Sequence, residues 1–202
     1  FSYSIISSKW FFSLDKEGLE NISSGFFNDM FWFDQMACSS PHVIFWLDDD
    51  NVSAKTIEIF NTELEREVKK RDFQVSLPLA VKRLNFAFDK ATSAASKVDL
   101  RQEGFVSLEI KDLKDVDREI CGGGLISHML IKNLNDVVDF AKNSDQTITY
   151  GGFNNTEIRQ LALYAGSKGI ARIVPIGEAL AFNVIWDGYD LVNDFLRKIL
   201  VK

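Results

Sequence analysis

The stretch Asp34-Gln35-Met36-Ala37-Cys38-Ser39-Ser40-Pro41-His42-Val43-Ile44-Phe45-Trp46-Leu47 decides how this chain is read. From His42 to Leu47 it is apolar almost without a break. A strand of that kind is buried on both faces, as in parallel sheets covered by helices on each side. The part before it is polar and turn-like. It presents a cysteine between a predicted amphipathic helix and the buried strand, in a crevice where a helix meets the edge of a sheet.

Outward from this segment, short strands alternate with longer helices. Upstream, a strand is predicted over 10–14, ending at Asp15, a residue type that caps helices well. The helix that follows is predicted over 16–34, with Leu19, Ile22, Phe26, Phe27, Met30 and Phe31 on one face. Phe1 to Ile6 reads as a strand already under way. Downstream, a helix over 53–70 turns Ile57, Phe60, Leu64 and Val68 inward, and Glu63, Glu65, Arg66, Glu67, Lys69 and Lys70 form a solvated face. A helix over 79–96 is entered through Pro78, and strands follow at 105–110 and 125–131. Asn133 caps a short helix over 134–141. The tail continues with a strand over 146–150, a helix over 155–165 closed by Gly169, a strand over 170–175 and a terminal helix over 189–200. This alternation gives an α/β class, a layered domain with a mostly parallel sheet, and residues 1–202 as one domain.

The composition agrees. With 46% hydrophobic and 26% charged residues the chain is ordinary globular material, and 202 residues suffice for one sizeable core. A net charge of −6 disfavours nucleic acid and anionic membrane as partners, since both reward a cationic face. Two cysteines supply neither a disulfide framework nor a Cys-rich metal site, which fits a reducing cytosol. The triplets Asn21-Ile22-Ser23 and Asn154-Asn155-Thr156 match the glycosylation pattern by chance. No apolar run reaches the length of a membrane span, and the first residues lack the basic region of a signal peptide. The chain opens without Met and reads as part of something longer.

Few residues could carry chemistry. Cys38 can act as a nucleophile, because a thiolate accepts acyl groups and the resulting thioester stays reactive toward hydride. Taken alone it reads first as a small buried hydrophobe, since free cysteine is often buried. Glu119 lies in a loop with Asp115, Asp117 and Arg118, where a surface carboxylate is the plain reading. Gly122-Gly123-Gly124 suggests a phosphate cradle, but no Gly-x-Gly-x-x-Gly follows a strand, so a turn into the next strand is expected. Asp48-Asp49-Asp50-Asn51 lacks the later Gly and Glu of a calcium loop and reads as a solvated turn. His42 and His128, each in an apolar strand, read as core or interface histidines rather than metal ligands. Trp32, Trp46 and most phenylalanines read as core, some of them able to line an acyl tunnel. Trp186-Asp187-Gly188 is either a loop near the site or a turn before the terminal helix.

Taken in order, these segments carry a resemblance. Residues 10–14, the helix, then Asp34 to Pro41 and the hydrophobic strand resemble the catalytic segment of the fatty acyl-CoA reductases of the LuxC type, within the aldehyde dehydrogenase superfamily. Arg118-Glu119-Ile120-Cys121-Gly122 resembles that superfamily's Glu-Ile-Phe-Gly segment. Ala171-Arg172-Ile173-Val174 and Trp186-Asp187-Gly188 resemble the C-terminal part of the acyl-CoA reductases. Cys121 stands where relatives often carry an aromatic residue, and Gly123 where they often carry proline.

The resemblance implies a three-layer αβα domain with Cys38 as the acyl-accepting nucleophile. Glu119 would match the carboxylate that holds the nicotinamide ribose hydroxyls, since a carboxylate accepts two hydroxyl hydrogen bonds at once. NADPH would be bound mainly by an N-terminal Rossmann-like domain that this chain does not contain, so the 202 residues alone should not transfer hydride. The donor would be an acyl-CoA or an acyl-carrying protein, the product a fatty aldehyde, and the assembly a homodimer. Ser7-Ser8-Lys9 aligns with the region that follows the general base of hydrolytic relatives, and the base position falls near Ile5. Within this chain no carboxylate precedes Asp15, as suits an acyl exchange between thiols that activates no water. One oxyanion donor would be the Cys38 backbone N–H, the other an asparagine of the absent domain. Two rival readings remain: a reductase of short-chain acyl-CoA or acyl phosphate, and a non-catalytic assembly module with an inert Cys38.

Overall fold

The computed structural model describes residues 1–48, 53–101, 104–197 and 199–201. Seven strands form one sheet in the order β3-β4-β5-β2-β1-β6-β7. They are β1 (Ser2–Ser7), β2 (Pro41–Leu47), β3 (Ala95–Leu100), β4 (Val106–Ile110), β5 (Leu125–Ile131), β6 (Thr147–Gly151) and β7 (Arg172–Pro175). Every pairing is parallel except that of β3 with β4.

The register explains the apolar run in β2. Ser4 pairs with Ile44 and Ile5 with Phe45, while Phe45 pairs with Met129 on the other side. Successive side chains point to opposite faces, so Val43 and Phe45 enter one core while Ile44 and Trp46 enter another. The second core is closed by α1 (Ser8–Phe12), α2 (Lys16–Phe31) and α3 (Ser53–Lys70), through Phe11, Phe26, Met30, Phe60 and Leu64. The first is closed by α4 (Leu77–Ser93), α5 (Asn135–Phe140) and α6 (Asn155–Ala165), through Ala87, Val137, Phe140 and Leu161. The α/β class, three-layer αβα arrangement and mostly parallel sheet are therefore present.

Several helix ends follow local chemistry. The Asp15 carboxylate accepts the Gly18 N–H at 2.8 Å and starts α2. Asn154 caps α6 reciprocally with Glu157. The helices 53–70 and 155–165 and the strand 125–131 have the bounds expected of them.

Other expectations need correction. Residues 10–14 are not a strand; the Ser7 hydroxyl accepts the Trp10 N–H at 3.3 Å and starts α1, and the strand lies before it as β1. An aromatic run that short carries no period to tell helix from strand. The helix expected over 16–34 stops at Phe31, because Phe33, Asp34 and Gln35 adopt left-handed φ of 59°, 54° and 62°. The helix expected to reach 96 stops at Ser93, and β3 follows as an antiparallel edge strand carrying Lys97 and Asp99. Glu67 does not belong to a solvated face: it is buried, with Arg71 Nε at 2.6 Å and Lys70 Nζ at 3.2 Å. The terminal helix over 189–200 is replaced by a hairpin of β8 (Ile185–Trp186) and β9 (Tyr189–Asp190) and a short α7 (Leu191–Phe195). Asp187 and Gly188, at φ 52° and 80°, make the two-residue turn with both central positions left-handed that a right-twisted hairpin favours. Past Asp48, the Asp48-Asp49-Asp50-Asn51 segment lies outside the described residues. Among the described residues, no helix is long and apolar enough to cross a membrane.

Candidate active site

In this sheet β1, β2, β5, β6 and β7 all start at one edge, as the registers Ser2 with Pro41, Val43 with Ser127, Tyr3 with Ile148 and Thr147 with Arg172 require. The residues singled out in the sequence converge on that edge.

Cys38 stands on a tight turn closed by the Ser40 N–H to the Ala37 carbonyl at 3.0 Å. Its thiol is exposed, while Ser39 and Ser40 beside it are buried. The reading of Cys38 as a small buried hydrophobe is thereby overturned. The turn is tied to its neighbours: Ser2 Oγ donates to the Cys38 carbonyl at 2.7 Å and accepts the Thr147 N–H at 3.1 Å, so one hydroxyl links the starts of β1 and β6 to the cysteine. Among the described residues, the backbone N–H of Cys38 has no acceptor.

The strongest tie is one the sequence did not reveal. Gln35 is fully buried, and its amide makes four hydrogen bonds. Nε2 donates to the carbonyls of Pro41 at 2.9 Å and Leu125 at 2.8 Å. Oε1 accepts the N–H groups of Gly124 at 3.1 Å and Leu125 at 3.0 Å. One side chain thus closes the loop that carries Cys38 and joins it to the loop before β5. A buried carboxamide has two donors and two acceptor lone pairs, and Gln35 uses them all. A glutamine in a polar loop reads as solvated, so only the fold reveals it.

The loop before β5 carries Glu119, and the two loops touch where Gly123 N–H donates to the Asp34 carbonyl at 2.9 Å. Glu119 is exposed, with its N–H fixed by Asp117 Oδ1 at 2.7 Å, and Asp117 in turn pairs with Lys90 Nζ of α4 at 2.6 Å. Arg118 pairs with Asp145, donates to the Phe140 carbonyl at 3.2 Å, and stacks on the Phe140 ring at 4.5 Å. Gly122-Gly123-Gly124 is a turn, as expected. Two of its N–H groups are spent on Asp34 and Gln35, and Arg83 donates to the Gly123 carbonyl at 2.6 Å. Cys121 is buried, and burial pushes its thiol up, so it is the less reactive of the two cysteines.

Both C-terminal segments reach the same edge. Arg172 donates to the carbonyls of Ala179 and Ala181, each at 2.9 Å, and its guanidinium lies 4.5 Å from the Trp186 ring. Burial pulls that guanidinium below its ordinary value, and the negative charges of Asp187, Asp29, Glu178 and a Cys38 thiolate oppose this. Gln146 Nε2 donates to Asp187. Trp186-Asp187-Gly188 is thus a hairpin turn, held against Arg172 through the Trp186 ring and against Gln146 through Asp187. Asp29 of α2 completes the set. It is fully buried and accepts the N–H groups of Gly177 at 2.7 Å and Ala179 at 2.9 Å. Burial pushes its carboxyl up to about 7, against those two donors and Arg172. A carboxylate between Phe26, Phe27 and Met30 on an apolar helix face was the signal that could have exposed it.

The two histidines are core residues. His128 Nδ1 accepts the Trp46 indole N–H at 3.0 Å, and burial lowers its pKa to about 3. His42 stacks against Phe1 at 5.4 Å, and burial lowers it to about 4.

Comparisons with known proteins agree with this geometry. A search of the curated proteins found no match. Among solved structures, an NAD-dependent aldehyde dehydrogenase of Sinorhizobium meliloti is similar at a TM-score of 0.62 and 14% identity, covering 86% of this chain and 36% of that one. A methylmalonate-semialdehyde dehydrogenase of Oceanimonas doudoroffii gives 0.60 and 11%, covering 87% and 39%. A 1-pyrroline-5-carboxylate dehydrogenase of Thermus with bound NAD gives 0.58 and 11%, covering 92% and 37%. The fold is that of part of the aldehyde dehydrogenases, and the chain spans less than two-fifths of the length of each of these structures. The family model for acyl-CoA reductase (LuxC) matches residues 10–198, and the chain belongs to that family.

Proposed function

We propose that this chain is the catalytic part of an NADPH-dependent acyl-CoA reductase that forms a fatty aldehyde through a Cys38 acyl-enzyme. The observation that carries the reading is the exposed thiol of Cys38, held on a turn that Gln35 clamps to the Glu119 loop. The Cys38 thiolate attacks the thioester carbonyl, a C–S bond forms, and the CoA thiolate leaves with its electron pair. One thioester replaces another, so the step is nearly isoenergetic. The Cys38 backbone N–H, with no acceptor among the described residues, is the donor this chain offers to the oxyanion.

The exposed Glu119 carboxylate fits the ribose hydroxyls of a nicotinamide cofactor, having two acceptor oxygens on a backbone fixed by Asp117. When bound, the reduced nicotinamide supplies the hydride. Hydride addition to the acyl carbon gives a thiohemiacetal on Cys38. Its collapse breaks the C–S bond, returns the electron pair to sulfur and releases the aldehyde. Solvent supplies the proton that neutralises the displaced thiolate of CoA.

The test is acyl-CoA-dependent NADPH oxidation by a protein that joins this chain to its nucleotide-binding half. Cys38→Ser should abolish turnover, and Glu119→Gln should raise the KM for NADPH about tenfold by removing one strong acceptor, a change worth about 1.4 kcal/mol. The 202 residues alone should give none. Undiminished turnover in Cys38→Ser would rule the mechanism out.

A further inference from the structure

The loop that joins β7 to the β8–β9 hairpin is gripped from two sides. From β7, Arg172 Nη1 donates to the Ala179 carbonyl at 2.9 Å, and Nη2 donates to those of Glu178 at 3.2 Å and Ala181 at 2.9 Å. From α2, the Asp29 carboxyl takes the N–H of Gly177 on Oδ2 and that of Ala179 on Oδ1. Among the described residues, these two are the hydrogen bonds that join α2 to the loop. The Trp186 ring of the hairpin rests on the Arg172 guanidinium and stacks with Phe182 at 6.0 Å. Loop and hairpin therefore share one support.

Water is shut out of that support. Asp29 and Ala179 are both fully buried. Gly25 of α2 meets the loop backbone to backbone, and a Cβ there would lie 3.2 Å from the Gly177 Cα and the Ile176 carbonyl oxygen. A carboxyl in such a place tolerates its proton, but as an anion it lacks the water that would solvate it. Lifting the loop would let water in and remove that penalty. The closed loop thus keeps the proton and an open one gives it up, so rising pH favours opening.

The charges around Asp29 agree. Burial is the largest influence and pushes the carboxyl up to about 7, against the Gly177 and Ala179 donors. Glu178, on the loop itself, pushes the same way, and Arg172 opposes it. Beyond the end of α3, Arg71 reaches α2 at Asn28 and Ser24 instead, and Glu67 pairs with it there.

We propose that Asp29 is a proton-operated latch: its carboxyl holds the loop over 176–181 against α2, and loss of the proton frees the loop together with the Trp186 hairpin. The latch is independent of whether Cys38 accepts acyl groups.

The test is amide hydrogen exchange on this 202-residue chain, followed by NMR and corrected for the intrinsic rate at each pH. One proton released per opening event makes opening up to tenfold more frequent per pH unit. Protection of Gly177 and Ala179 should fall at least tenfold between pH 5 and pH 7 and level off above, while Ile44 and Phe45 of β2 keep theirs. Protection of Gly177 and Ala179 that does not change with pH would overturn the proposal. So would a parallel loss in β2, since that is global unfolding. Asp29→Asn should abolish the pH dependence, and a dependence that survives it contradicts the latch. Should that variant not fold, Glu178→Gln decides, because it leaves both hydrogen bonds in place. Removing that exposed negative charge should move the midpoint to lower pH, and an unmoved midpoint would count against Asp29. Tryptophan emission gives a second signature: a step near pH 7, absent from Trp186→Phe. A step that remains in Trp186→Phe would show that the hairpin is not what the latch releases.

Discussion

Gln35 concentrates the positional control of the site in one side chain. Replacement by leucine, of similar size, leaves Pro41, Gly124 and Leu125 with unmet buried groups, each costing about 1–3 kcal/mol. The left-handed residues before it, about 1–2 kcal/mol each, lose part of what holds them in place. Gln35→Leu should therefore lower stability by at least about 3 kcal/mol in urea unfolding and slow acylation of Cys38. An unchanged urea midpoint would show that the amide is not the clamp. Two buried titratable groups oppose each other with pH. Asp29 titrates at about 7 in the fold and near 3.8 when unfolded, so between those values the folded state alone keeps the proton and stability falls as pH rises. His128, at about 3 against 6.5, is the reverse: the unfolded chain binds the proton that the fold excludes, and stability rises with pH across that window. Asp29→Asn should make stability climb more steeply from pH 4 to about 7, and His128→Gln should flatten or reverse the climb. Urea midpoints measured every half pH unit decide it, and parallel curves for all three proteins would refute both assignments.

At the scale of elements, the turn from Gly122 to Gly124 sets how closely the Glu119 loop approaches the cysteine loop. A Cβ at Gly124, where φ is +82°, would sit 2.8 Å from the Gly104 carbonyl oxygen and 3.1 Å from the Phe31 ring. Gly124→Ala should cost about 3 kcal/mol, seen as a lowered Tm, and loosen the Gln35 contacts that begin at the same residue. Elements were legible where one signal dominated. The apolar run of β2 announced a strand covered on both sides, and the stripe from Ile57 to Val68 announced α3. They were missed where a local cap or turn competed with a short pattern. Ser7 made a helix of an aromatic run, the strand from Ala95 to Leu100 took over the last residues of an expected helix, and the hairpin through the Asp187-Gly188 turn took over the first residues of another.

At the scale of the whole molecule, the sheet brings residues far apart in sequence to one edge. Cys38, Glu119, Arg172 and Trp186 were all visible as segments, because each lies in a recognisable stretch. Their supports were not. Gln35, Asp29 and Ser2 act through contacts that span up to 150 residues, and no local pattern encodes such a pairing. The chemistry should divide along the same line, with acyl acceptance in these 202 residues and hydride delivery dependent on a nucleotide-binding half. The most direct measurement is intact-mass spectrometry of this chain after incubation with a long-chain acyl-CoA, beside Cys38→Ala and Cys121→Ala. A single acyl adduct, lost in Cys38→Ala and kept in Cys121→Ala, is expected. An adduct that survives Cys38→Ala, or none in either this chain or the joined protein, would contradict Cys38 as the acyl acceptor.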